Sequence, residues 1–206
     1  MIDAAILPLQ RRALQPAAVW LAARGVSPDR ITLAGFALGL AAIVALAFGA
    51  FGIALLLIAL NRLCDGLDGA VARLTTPTRR GAFLDIALDF VFYALVPLGF
   101  ALHAPETNAL PAAALIAAFV GTGSSFLAFA AVAAQASEAG RTAPRYPTKG
   151  IYYLGGLTEG FETIAAFVLM CLFPDAFPVI ALAFAAACAI STLLRWRQGW
   201  IAFAPD

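Results

Sequence analysis

Asn61–Asp89 reads NRLCDGLDGAVARLTTPTRRGAFLDIALD, and the interpretation of every other segment depends on it. Four of the chain's twelve carboxylates fall here, at Asp65, Asp68, Asp85 and Asp89, between long runs of Ala, Leu, Ile, Val and Phe. An ionised carboxylate near the middle of a bilayer costs roughly 2.5–3.5 kcal/mol on insertion scales. Four of them in one stretch require compensation, and one or two bound divalent cations are the simplest source.

The surrounding composition sets the class. The 206 residues are 63% hydrophobic and only 12% charged, with a mean hydropathy of +0.91. A soluble domain of this size cannot hide so much apolar surface, so the expectation is an all-α polytopic membrane protein. A net charge of +1 gives no reason to expect a nucleic-acid partner. Cys64, Cys171 and Cys188 lie in apolar runs without metal-ligand spacing and read as small buried hydrophobes. No cleavable signal-peptide pattern opens the chain, whose first long apolar run begins near Ile31.

Outward from the acidic stretch, six apolar segments each approach the ~20 residues that a membrane crossing requires. They fall at about 31–50, 52–73, 82–102, 109–134, 157–173 and 176–194. Ahead of them, residues 4–24 mix apolar side chains with Arg11, Arg12 and Arg24 and are interrupted by Pro8 and Pro16, which suggests a short helix lying along the membrane surface. GVSPDRIT, residues 25–32, is a turn and a helix start, with Ser27 as N-cap and Pro28 in the first helical position. Short breaks at Gly49–Gly52, Pro105–Glu106 and Pro174–Pro178 separate spans, and residues 137–149 form the longest polar connection.

With six spans, all thirteen basic residues map to one face or its edge, and the opposite connections carry none. The positive-inside rule makes that face cytoplasmic and puts the acidic stretch there. The expected organisation is one domain over 1–206: an interfacial helix and turn over 1–30, six spans over 31–194, and a cytoplasmic tail over 195–206.

Asp65 and Asp68 are three apart, Asp85 and Asp89 four apart, so each pair shares a helix face. Leu74–Arg80 is short and contains Pro77, which predicts that the second and third spans return beside each other with their acids facing. Oxygen-only ligands at this density suit Mg²⁺ or Mn²⁺. Gly69 and Ala72 leave room beside the helix for a substrate, and Arg73 presents a planar fork suited to phosphate oxygens. This combination points to phosphoryl-type chemistry with two metals. A divalent-cation carrier and a catalytically silent membrane module are the alternatives. A carrier gives no reason for Gly69, Ala72 and Arg73, and a silent module should have lost a carboxylate.

Asp65-x2-Asp68-Gly69-x2-Ala72-Arg73 followed by Gly81-x3-Asp85-x3-Asp89 resembles the signature of the CDP-alcohol phosphotransferases (phosphatidyltransferases), with every fixed position present. One departure is the seven residues between Arg73 and Gly81, where that family usually has eight or more. GVSPDRIT is similar to the family's element before the first span, and the plan of six spans behind a surface helix also agrees. The resemblance implies that Asp65, Asp68, Asp85 and Asp89 hold two divalent metals, Mg²⁺ or Mn²⁺, with Asp89 also the catalytic base. It implies a site for the CDP-linked donor at Gly69, Ala72, Arg73, Thr78 and Gly81, bordered by Pro28, Asp29, Arg30 and Ile31. The implied reaction moves a phosphatidyl group from a donor such as CDP-diacylglycerol to an acceptor alcohol and releases CMP, in phospholipid biosynthesis. It further implies a homodimer in a bacterial inner membrane.

Acceptor contacts are sought among Arg79, Arg80, Arg141, Arg145 and Lys149, which would suit a phosphorylated alcohol, although topology and lipid headgroups also account for such charges. Glu159 and Glu162, three apart near the cytoplasmic side, are the other candidates, with ion pairing to a neighbouring loop as the simpler reading. The Gly121–Ser125 stretch reads as a close-packing face suited to a dimer, and Trp196 and Trp200 as interface anchors.

Overall fold

A computed structural model of the protein describes residues 2–138 and 158–204. Seven α-helices account for nearly all of them: α1 (Ile2–Ala23), α2 (Pro28–Ala47), α3 (Phe51–Leu74), α4 (Arg79–His103), α5 (Pro105–Glu138), α6 (Gly160–Leu172) and α7 (Phe177–Ala202). A single 3-10 turn, Pro174–Ala176, leads into α7, and the described residues contain no strand.

Local chemistry explains most of the boundaries. Ser27 is extended at the N-cap of α2 and Pro28 opens the helix, where its missing N–H is no loss. Gly49, with φ +73°, turns the chain between α2 and α3. A Cβ there would also lie 2.6 Å from His103 Cε1, so the site requires glycine twice over. His103 packs its ring edge on Phe51, at 5.0 Å between centroids, and closes the end of the bundle opposite the acids. The Thr78 hydroxyl accepts from the Gly81 N–H at 3.0 Å and caps α4. Pro105 and Glu106, read from sequence as a break, form the first turn of α5 instead. Proline is favoured at a first helical position, and an acid there suits the helix dipole.

Among the described residues, four helices are long and apolar enough to cross a membrane: Pro28–Ala47, Arg79–His103, Pro105–Gln135 and Pro174–Ala202. The expected second span, α3, has the length but carries Arg62, Asp65 and Asp68 in its second half. The expected fifth, α6, is an apolar helix of only 13 residues. The leading helix is not short, because α1 runs unbroken through Pro8 and Pro16. It packs Ala18, Leu21 and Ala22 on Ile31, Ala70 and Val71, at the end of α3 that follows the acids. The last helix continues past Leu194 to Ala202.

The expected side-by-side return of α3 and α4 is corrected by the packing. α2 lies closely against both, while α3 and α4 barely approach each other backbone to backbone. Gly35 and Gly39, one turn apart on α2, make this possible. A Cβ on Gly35 would stand 2.7 Å from Cys64 Cβ, and one on Gly39 would stand 2.9 Å from the Phe92 ring. Further along, Phe100 stacks on Phe177 at 4.5 Å, and Phe92 and Phe119 meet Phe167 edge-on at 6.2 Å. The glycines of the Gly121–Ser125 stretch are used inside the chain: Gly121 faces Thr192 on α7 and Gly123 faces Phe90 on α4.

Candidate active site

Because α2 separates the two acid-bearing helices, a cleft with three walls opens at their ends. Thr32, Gly35 and Phe36 line it from α2; Asn61, Arg62, Asp65 and Asp68 from α3; Asp85, Leu88, Asp89 and Phe92 from α4. Carboxylate oxygens of Asp65, Asp85 and Asp89 all lie within 4.8 Å of one another, a group able to hold a metal ion. Asp68, buried in the same cleft, accepts a hydrogen bond from the Thr32 hydroxyl. The two acid pairs therefore face each other as their spacing predicted, but across a gap floored by a third helix.

Hydrogen bonds that sequence reasoning did not anticipate hold this cleft. Asn61 donates its amide to the Gly35 carbonyl at 2.8 Å. Arg62, treated in the sequence only as one charge of a basic face, reaches inward and donates to Asp89 Oδ1 at 2.7 Å and Asn61 Oδ1 at 2.8 Å. It also donates to the Tyr93 hydroxyl at 3.3 Å and lies 3.7 Å from Asp65 Oδ2. The available signal was an arginine three residues before Asp65, well inside an apolar helix, where charged groups are rarely idle.

A profile of the CDP-alcohol phosphatidyltransferases matches residues 25–196. The chain belongs to that family. As a transferase it is 55% identical over 177 residues to the inner membrane protein YnjF of Escherichia coli K12, covering 86% of this chain and 84% of that one. It is 44% identical over 93 residues to the phosphatidylinositol phosphate synthase of Streptomyces avermitilis, covering 44% of this chain and 38% of that protein. Among solved structures, it superposes on the Mycobacterium tuberculosis phosphatidylinositol phosphate synthase PgsA1 with CDP-DAG bound, with a TM-score of 0.68 at 23% identity over 95% of this chain and 98% of that one. The same enzyme in complex with manganese and citrate also gives a TM-score of 0.68, over 94% and 93% of the two chains. At 23% identity these two likenesses establish the fold, and the apolar helices make the transferase an integral membrane protein.

The remaining expected residues of the transferase do not line this cleft but sit beyond it, at the start of α2, the end of α3 and the start of α4. Pro28, Asp29, Arg30 and Ile31 form the first turn of α2, directly before Thr32. Arg80 grips the Asp29 carboxylate through Nε, at 2.9 Å, and Nη2, tying the start of α4 to the start of α2. A Cβ on Gly81 would come within 3.1 Å of Asp29 Oδ1, so glycine there allows the two helix starts to meet. Arg73 folds back over Gly69, its Nη1 only 3.3 Å from where a Cβ on that glycine would stand. Ala72 is half-buried between them in sequence, and Arg79 and Thr78 are exposed at the head of α4.

The expected acceptor residues divide. Arg80 serves the Asp29 tie, on the side expected for the donor. Glu159 and Glu162 form a capping box at the start of α6, with Glu162 accepting from the Glu159 N–H at 3.1 Å. That makes Glu162 part of a helix cap. Glu159 is buried and borders a second cavity of about 160 Å³ with Tyr93, Phe119, Thr122, Thr158 and Arg195. Arg141, Arg145 and Lys149 lie outside the described residues.

Proposed function

We propose that this chain transfers a phosphatidyl group from a CDP-linked lipid, such as CDP-diacylglycerol, to an acceptor alcohol and releases CMP. The observation that carries the proposal is the convergence of Asp65, Asp85 and Asp89 within 4.8 Å across the α2-floored cleft. The donor set is all carboxylate, which fits Mg²⁺ or Mn²⁺. Asp65, Asp68, Asp85 and Asp89 would hold two such ions, which when bound would neutralise the diphosphate and make CMP a better leaving group.

The chain's own groups supply the rest. The acceptor oxygen attacks the phosphorus attached to diacylglycerol, the bond to CMP breaks, and Asp89 takes the acceptor's proton as the new bond forms. Arg73, above Gly69, offers its fork to the donor's phosphate oxygens. Thr78, Gly81 and Pro28–Ile31 border the nucleotide, and the Asp29–Arg80 pair sets the spacing of that border. The second cavity lies across Tyr93 from the acids and, with Glu159 on its wall, is the acceptor's place.

In the membrane, α3 and α6 join the four long apolar helices as six spans behind α1 at the interface, within one domain. The one-sided distribution of the basic residues supports a cleft on the cytoplasmic side of a bacterial inner membrane, in a homodimer. The test is to incubate purified protein with CDP-diacylglycerol and a pool of alcohols, phosphorylated and not, with Mg²⁺ or Mn²⁺. CMP release and a new lipid identified by mass support the proposal; metal-dependent ion flux without CMP release would replace it with a cation carrier.

A further inference from the structure

Among the described residues that line the acidic cleft, Arg62 is the one cation. Its side chain is only 16% exposed, and it does not reach for water or headgroups as a membrane-edge arginine does. Every direction is taken. Nε is anchored on Asn61, which is itself pinned to the Gly35 carbonyl of α2. Nη1 is shared between the Tyr93 hydroxyl and Asp65, and Nη2 holds Asp89. The guanidinium also lies 4.9 Å from the centre of the Phe92 ring, a favourable position for a cation. Thus a fixed positive charge is built onto two of the three acids that converge for metal.

Two consequences follow from elementary electrostatics. A guanidinium bonded to Asp89 Oδ1 orients that carboxylate, leaving Oδ2 to face the reacting groups. The same charge would repel any divalent ion that Asp65 and Asp89 attract, and in a partly buried site that repulsion is weakly screened. We propose that Arg62 is a resident cation of this metal centre, a positioning residue that aims Asp89 and sets divalent affinity below what four carboxylates would give alone. The inference rests on the proposed phosphatidyl transfer, and its main readout is metal binding, which does not depend on turnover.

The experiment titrates Mn²⁺ into purified wild-type protein, Arg62→Met and Arg62→Lys by calorimetry, alongside CMP release from CDP-diacylglycerol. Arg62→Met, similar in length but neutral, should bind Mn²⁺ at least about tenfold more tightly. Its kcat should fall by about a hundredfold or more at saturating Mn²⁺, with KM for the donor within about threefold. Arg62→Lys keeps the charge and loses the fork, so it should keep wild-type Mn²⁺ affinity and still lose kcat. Unchanged or weaker Mn²⁺ binding by Arg62→Met overturns the proposal, since a merely structural arginine would lower affinity, rate and thermal stability together. If Arg62→Met does not fold, the lysine variant decides: wild-type kcat overturns the positioning role, and low kcat with unaltered Mn²⁺ affinity upholds it. Failure of wild-type protein to release CMP while the Mn²⁺ shift is seen would sink the transfer reaction and leave the resident cation standing.

Discussion

Thr32 on α2 donates its hydroxyl to Asp68 on α3, joining residues 36 apart in sequence at the edge of the acidic cleft. The bond aims one carboxylate and leaves its second oxygen for another partner. Hydrogen bonds to charged groups contribute about 1.5–3 kcal/mol. Thr32→Val should therefore weaken Mn²⁺ binding by roughly tenfold or more and raise the metal concentration needed for half-maximal CMP release. Thr32→Ser, which retains the hydroxyl, should restore most of it; a loss in Thr32→Ser with none in Thr32→Val would show that the methyl group matters and the hydrogen bond does not.

Arg62 sets one positive charge against the four carboxylates of the cleft, so activity should depend on an added divalent cation. Chelation with EDTA should abolish CMP release, and Mg²⁺ or Mn²⁺ should restore it. Asp89→Asn retains the shape but cannot accept a proton, so kcat should drop by at least about 10²–10⁴ at any metal concentration. A variant rescued by excess metal would reduce Asp89 to a ligand alone.

The Asp29–Arg80 pair offers a different separation of effects. The arginine side chain is 79% exposed, so the pair adds little stability, below about 1 kcal/mol. Arg80→Ala should leave the thermal midpoint nearly unchanged while raising KM for the CDP-linked donor several-fold, because the starts of α2 and α4 are no longer held together. A shift in acceptor KM instead would return Arg80 to the acceptor side.

Gly39 is where α2 admits both partners. A Cβ there would come 2.9 Å from Phe92 Cδ2 and 3.2 Å from Asn61 Nδ2. Gly39→Ala must push the ring and the amide aside, a cost of about 1–3 kcal/mol for an overfilled core. Thermal unfolding in detergent should show it as a lowered midpoint. Gly52→Ala, where a Cβ would meet nothing within 4 Å, is the control and should be close to neutral.

The acids were legible because helix periodicity is local: spacings of three and four put each pair on one face whatever the rest of the chain does. The helix start at Pro28 was legible for the same reason, through Ser27. Pro105–Glu106 misled because a proline that stops one helix equally begins another. For Glu162, a carboxylate three residues from its partner suits a capping box as well as a pocket wall, and spacing alone does not separate the two.

Composition and spacing alone were enough for an apolar helical chain with a metal-suited acidic centre, because burial cost and helix geometry act over a few residues. Only the tertiary packing could place α2 between α3 and α4, turn Arg62 inward onto Asp89, and bring Arg80 to Asp29. Those arrangements join residues 27 to 51 positions apart. Which helix fills a gap depends on where Gly35 and Gly39 let side chains of two other helices approach, and no local pattern encodes that.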